Sequence, residues 1–151
     1  MNKKGFTLIE LLIVVAIIGI VAAIAIPNLL TAIQKSKQKA TMGDMKTIGT
    51  AVESYMSDNY LAPENLTFGS AQTLNFHIKK MPLSDSWGGT WGYLRDAGNP
   101  DIYSIGSGGR DNSTPTGSFA SVGEYTVNSL TDFNFDIVYS NGAFVYGPRT
   151  K

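Results

Sequence analysis

Few residues in this chain are equipped for chemistry. There are no cysteines, which removes thiol nucleophiles, disulfides and Cys-based metal sites. His77 is the only histidine. With no second imidazole it builds neither a metal site nor a catalytic relay, and it reads as a surface or capping residue. The chain contains no Gly-x-Ser-x-Gly and no Gly-rich phosphate loop ahead of a helix, so hydrolase and nucleotide-binding signatures are missing. Two sets of oxygen-bearing residues remain. One is Glu10, a single carboxylate among apolar neighbours. The other is Asp101, Ser104, Asp111 and Asn112, set around the Gly-rich loop from Gly106 to Gly117. Ordering such a loop costs about 1–2 kcal/mol per residue. Calcium offsets a cost of that kind by taking about six to eight oxygen ligands from carboxylates, hydroxyls and carbonyls. The spacing is not that of an EF-hand, and contacts with another copy of the chain would order the loop equally well.

Glu10 is the sharper signal. Phe6 to Ile26 amounts to about 31 Å of helix, the thickness of a bilayer core, and Leu11 to Ile26 has no polar side chain. The preceding Met1-Asn2-Lys3-Lys4-Gly5 is short and basic. It predicts a cytoplasmic amino end and an exported carboxyl end. A plain signal anchor accounts for that much, but not for the carboxylate. A charge at the centre of a span costs roughly 2.5–3.5 kcal/mol, and somewhat less near its end. Such a residue needs a partner. A cut after Gly5 would create one, because the new α-amino group at Phe6 is a cation that a neighbouring Glu10 can meet.

The ordered run Lys3-Lys4-Gly5-Phe6-Thr7-Leu8-Ile9-Glu10-Leu11-Leu12-Ile13-Val14-Val15-Ala16-Ile17-Ile18-Gly19 resembles the amino-terminal signal of type IV pilins and type II secretion pseudopilins. The resemblance implies cleavage after Gly5 by a prepilin peptidase, methylation of the Phe6 amine, and a role for Glu10 in assembly. It makes Pro27 the family's helix-breaking proline and implies that the helix unwinds between Gly19 and Pro27 in the filament. It also implies partners: further copies of the chain, an inner-membrane assembly platform, and minor subunits. The expected location is the bacterial inner membrane, single-pass with the amino end cytoplasmic, and then a periplasmic or extracellular filament.

These residues need elements to position them. Met45, Ile48, Val52 and Tyr55 recur at three- and four-residue steps, so the helix continues beyond the apolar segment as an amphipathic one. It is expected to stop near Ser57-Asp58-Asn59, a spine of about 80 Å. Pro27 and Gly19 weaken it by about 3 and 1 kcal/mol. Pro63 to Pro82 is an irregular connector in which Phe68, Leu74, Phe76 and Ile78 are placed to tuck under the helix. Strands are expected at Trp91–Arg95 and Ile102–Ile105 around a five-residue loop. A second pair, Phe135–Ser140 and Ala143–Tyr146, flanks Asn141-Gly142, the pair that accepts the two positive φ angles of a type I′ turn. Tyr125-Thr126-Val127 adds a further strand. The fold class is α+β: a long spine helix packed on a small antiparallel sheet. The divisions are a leader at 1–5, a transmembrane and assembly helix at 6–27, its amphipathic half at 28–59, and a connector with sheet at 60–151.

A second resemblance distinguishes between the two groups. Pro82-Leu83-Ser84-Asp85-Ser86-Trp87-Gly88-Gly89, Tyr93-Leu94, and Asp101-Ile102-Tyr103-Ser104-Ile105-Gly106-Ser107-Gly108-Gly109 resemble the sheet region of major type II secretion pseudopilins, where the last strand leads into a calcium-binding loop. Ser86 interrupts the Asp-Trp-Gly element, and Gly108 stands where an acidic residue is common. The resemblance therefore implies a pseudopilin of a protein-export filament first and a type IV pilin second. Other classes fare worse. Charge is balanced at 12 basic and 12 acidic residues, which gives no footing for phosphate binding, and no nucleic-acid partner is expected. Lys35-Ser36-Lys37-Gln38-Lys39 reads as lysines facing lipid headgroups or neighbouring subunits. The aromatic residues cluster in the expected strands, where core packing explains them.

Overall fold

A computed structural model describes residues 5–66, 68, 74–113 and 123–149. Lys3, Lys4 and the end of the loop from Gly106 to Gly117 lie outside the described residues.

One helix, α1, runs Leu8–Asn59, 52 residues, or about 78 Å. It opens on a capping box. Thr7 takes an extended conformation, its Oγ1 accepts the Glu10 N–H at 3.3 Å, and its own N–H donates to Glu10 Oε2 at 2.8 Å. This satisfies two of the donors that a helix start leaves without intrahelical partners. At the other end Tyr60 adopts φ 64°, and its N–H donates to Met56 O at 2.7 Å. In the single chain α1 is continuous through Gly19 and Pro27.

The two halves of α1 meet different surroundings. From Phe6 to Ile33 the large apolar side chains are exposed. Beyond that, Met45, Ile48 and Val52 are fully buried, and Tyr55 packs against the same cluster. The stripe read from spacing is thus the core face. Each fully buried aliphatic side chain contributes roughly 1.5–3 kcal/mol, which compensates the long helix for its otherwise bare surface.

Five strands cover that stripe: β1 Gly92–Arg95, β2 Tyr103–Ser107, β3 Gly123–Tyr125, β4 Ile137–Ser140 and β5 Ala143–Pro148, in the order β1-β2-β4-β5-β3. The expectation of an antiparallel sheet needs amending at one edge. β1, β2, β4 and β5 pair antiparallel, whereas β3 runs parallel to β5. A 3-10 turn at Leu130–Asn134 and β4 lie between β3 and β5, so they are joined by a crossover and not by a hairpin. The Asn141-Gly142 turn has φ 43° and 86°, both positive, with Ser140 opposite Ala143.

Tyr103, Ile105, Ile137 and Tyr139 present the buried face of the sheet to α1. Gly49 explains how close the layers come. A Cβ there would lie 2.2 Å from Tyr139 Cε1, so only glycine admits the ring. Tyr103 Oη reaches across to donate to Gly49 O at 3.2 Å and Glu53 Oε1 at 3.0 Å. In the connector, Leu74 is buried while Phe68 and Ile78 are partly so. Phe76 instead is 98% exposed, contrary to its expected place under the helix. The His77 and Ile78 N–H groups both donate to Leu74 O, and this tight turn directs Leu74, His77 and Ile78 inward and Phe76 out.

Candidate functional site

The first candidate site is the start of α1. Gly5, Phe6 and Thr7 precede the helix in non-helical conformation, and all three are exposed. Among the described residues, its chain neighbours aside, no atom approaches within 4 Å of where a Gly5 Cβ would sit. Glu10 follows one turn in, with its Oε2 accepting both the Thr7 N–H at 2.8 Å and the Thr7 hydroxyl at 2.6 Å. The carboxylate therefore has a partner within its own chain. Thr7-x-x-Glu10 is a legible capping-box spacing, a signal that reading Glu10 only as an intruder in an apolar run passes over.

The second candidate site lies at the end of β2. Asp85, 4% exposed, is its organiser. Its Oδ1 accepts the N–H groups of Trp87 at 3.0 Å and Gly89 at 2.7 Å, and its Oδ2 accepts the Ser107 hydroxyl at 2.6 Å. Ser107 Oγ in turn accepts the Gly109 N–H at 3.2 Å. One buried carboxylate thus ties the Asp85–Gly89 turn to the exit of β2. In the sequence Asp85 belongs to the run that resembles the pseudopilin sheet region, and nothing local marks it as the organiser of this turn.

The four residues expected around calcium are not brought together as a set. Asp111 ends the 3-10 turn Gly109–Asp111 and accepts the Ser113 N–H through Oδ1 at 2.9 Å. Asn112 follows at φ 54°, its Oδ1 lying against Gly89. Asp101 precedes β2, at the opposite end of that strand, and its carbonyl accepts from Asn141 Nδ2 at 3.3 Å. Five strand residues span about 17 Å, which separates Asp101 from Asp111. Ser104 and Ser107 are an odd number of positions apart, so they face opposite sides of the sheet. At Gly108 a Cβ would fall 1.6 Å from Ser113 O, so the loop closes over the place where an acidic side chain is common in the resemblance. What the structure adds is Asp136. Burial, and then the negative charge of Asp111, push its carboxyl above the ordinary value of 3.8. Asp111 and Asp136 are carboxylate oxygen donors, the kind of ligand a hard cation takes. Among the described residues no three His, Asp or Glu side chains gather as a metal cluster.

His77 is half-buried against the edge of Tyr55, with ring centroids 5.6 Å apart. Its Nδ1 lies 3.1 Å from Ser54 Oγ and 3.8 Å from Asp58 Oδ2. Both groups approach the same nitrogen. A nucleophile relay places them on opposite nitrogens, so this trio fastens the connector to α1.

An exposed apolar half-helix entered through a Gly-Phe junction, whose second half packs on a small sheet, defines the prepilin-type subunits as a class. Comparison with known proteins agrees. Residues 1–26 match the model of the prokaryotic N-terminal methylation motif. Type II secretion system core protein G of Pseudomonas aeruginosa is 33% identical over 137 residues, 78% of this chain and 96% of that protein. The core protein G of Vibrio cholerae is 31% identical over 143 residues, 85% of this chain and 96% of its own length. The type IV major pilin protein PilA of Myxococcus xanthus is 54% identical, but over 57 residues, 38% of this chain and 26% of that one. Comparison with solved structures returned no match. The chain belongs to the family of the type II secretion system core protein G.

Proposed function

We propose that this chain is the repeating subunit of an extracytoplasmic filament of a type II secretion system, the major pseudopilin, and that it acts by polymerising and not by catalysis. One observation carries this reading. The window of α1 long and apolar enough to cross a membrane has none of its surface buried, although the rest of the chain has closed a core of its own. Such a surface needs lipid before assembly and other copies afterwards. The family supplies the sequence of events. Cleavage after Gly5 and methylation of Phe6 yield the mature subunit, held in the inner membrane with its amino end cytoplasmic. Glu10 then meets the Phe6 amine of a neighbour on an assembly platform with minor subunits, and the stretch from Gly19 to Pro27 gives up helix hydrogen bonds. Calcium at Asp111 would offset the repulsion that this carboxylate exerts on Asp136.

The alternative is a type IV pilin for adhesion, motility or DNA uptake. Its support is the 54% identity to PilA, which spans only 57 residues. Deleting the gene and measuring exoprotein release alongside surface-pilus imaging separates the two. Lost secretion with normal pili is expected. Lost pili with normal secretion would overturn the pseudopilin reading in favour of the pilin. Intact-mass analysis of the membrane form tests processing on its own. The expected chain starts at a methylated Phe6, and one still starting at Met1 would remove the processing step.

A further inference from the structure

The proposed function assigns no role to the basic cluster Lys35-Ser36-Lys37-Gln38-Lys39, and three observations say where it sits. The first is axial. Exposed apolar side chains continue along α1 to Ile33, and at 1.5 Å per residue Lys35 to Lys39 lie about 40–47 Å from Leu8. The bilayer core with one headgroup layer is about 35–38 Å thick, so the lysines stand at the outer edge of the far headgroups, within reach of their long side chains. The second is the level at which the folded part begins. Trp87 Nε1 donates to Gln34 Oε1 at 2.7 Å, Gln38 Nε2 to Tyr125 Oη at 3.3 Å, and Ser86 N to Thr41 Oγ1 at 3.2 Å. These contacts frame the cluster, so the base of the sheet domain sits at the same height, with an indole at its rim. The third is charge. The three ion pairs among the described residues are His77–Asp58, Arg95–Glu64 and Arg149–Glu124, and none uses these lysines. At 100° per residue, Lys35 and Lys39 share one flank of α1 and Lys37 lies on the other, so together they border the packed face on both sides.

From this placement we propose that Lys35, Lys37 and Lys39, with Trp87 beside them, form a docking surface for anionic phospholipid headgroups on the exported side of the membrane. The proposal rests on the membrane-spanning reading of α1. Lipid is a better occupant than a second copy at the same depth, because an adjacent chain in register would bring the same three lysines alongside and repel. The surface also has a consequence for processing. A cut after Gly5 removes Lys3 and Lys4, so the mature chain keeps its flanking lysines on one side of the span only. The headgroups then hold the folded part against the outer face, while the other end keeps only the Phe6 amine as its cation.

The test uses the full chain in lipid nanodiscs, one set of phosphatidylcholine alone and one containing phosphatidylglycerol, with acylation of each lysine followed by mass spectrometry. Lys35, Lys37 and Lys39 are expected to react about fivefold more slowly in the anionic discs, with the difference lost in about 1 M salt. Lys79 and Lys80, beside the far end of α1, are expected to react alike in both. Equal rates for the three lysines in the two lipids would overturn the proposal. So would protection that is the same in both lipids and rises with the number of chains per disc, which would assign the lysines to a neighbouring copy. A chain that inserts into neither disc would overturn the membrane-spanning reading itself, and the docking surface with it.

Discussion

At the scale of single residues, Glu10 and Thr7 show how a carboxylate in an apolar segment finds a partner within the isolated chain. Within the chain, Glu10 Oε2 accepts twice from Thr7, so the first turn of α1 is capped and the carboxylate is not bare. A cap of this kind contributes about 1 kcal/mol. The cationic amine that cleavage would create on a neighbour is a stronger partner than a neutral hydroxyl, since hydrogen bonds to charged donors are roughly twice as strong. Glu10→Val should therefore leave a processed, membrane-embedded monomer, because it removes a charge from the span. Filament yield, measured by shearing and immunoblotting, should collapse. Undiminished yield would show that the pairing with a neighbour's amine does not drive assembly.

At the scale of elements, α1 has a weak stretch and a tight contact, and both are testable. Pro27 removes one helix hydrogen bond and crowds the preceding turn, at about 3 kcal/mol in a helix interior, yet the single chain keeps the helix through it. Replacing Pro27 with Ala should strengthen that stretch and give a stiffer, less extensible fibre in optical-trap stretching. A wild-type filament reconstruction with continuous helix from Phe6 to Ser57 would refute unwinding between Gly19 and Pro27. The tight contact is Gly49 under Tyr139. Helix propensity alone favours Gly49→Ala by about 1 kcal/mol. The 2.2 Å approach of the new Cβ to the Tyr139 ring opposes it, and overpacking of this kind costs about 1–3 kcal/mol. The variant should thus melt at a lower temperature in detergent by circular dichroism, and a higher melting temperature would mean the layers can separate without loss.

At the scale of the molecule, the Asp111–Asp136 pair couples fold stability to pH and to cations. Burial first, then the Asp111 charge, raise the Asp136 carboxyl above its ordinary 3.8. The folded state then binds a proton that the unfolded state has already lost. This group's contribution to stability is largest at low pH and declines as pH rises from about 3.8 through the folded value. Asp136→Asn should therefore raise the melting temperature at pH 7 without calcium and change it little at pH 3. Millimolar calcium should raise the wild-type melting temperature at pH 7 by mass action, and chelation should reverse it. Asp111→Ala and Asp136→Asn should both abolish the response. Indifference of the wild type to calcium would leave the two carboxylates as a repulsive pair with no cation site.

What was legible in the sequence is what depends on neighbours along the chain. The α1 boundary near Asn59, the buried stripe at Met45, Ile48 and Val52, and the Asn141-Gly142 hairpin follow from periodicity, capping and backbone sterics, which act over a few residues. Glu10 stands out for the same reason, because its cost arises from its own surroundings in the segment. The tertiary structure decided what depends on residues far apart. It set β3 parallel to β5, turned Phe76 outward, and placed Asp101 and Asp111 at opposite ends of β2. It also made Asp85 the centre of three hydrogen bonds and let the Asp111 charge act on Asp136. None of these has a local signature, because hydrogen-bond satisfaction and charge proximity are settled only when α1 and the sheet close on each other.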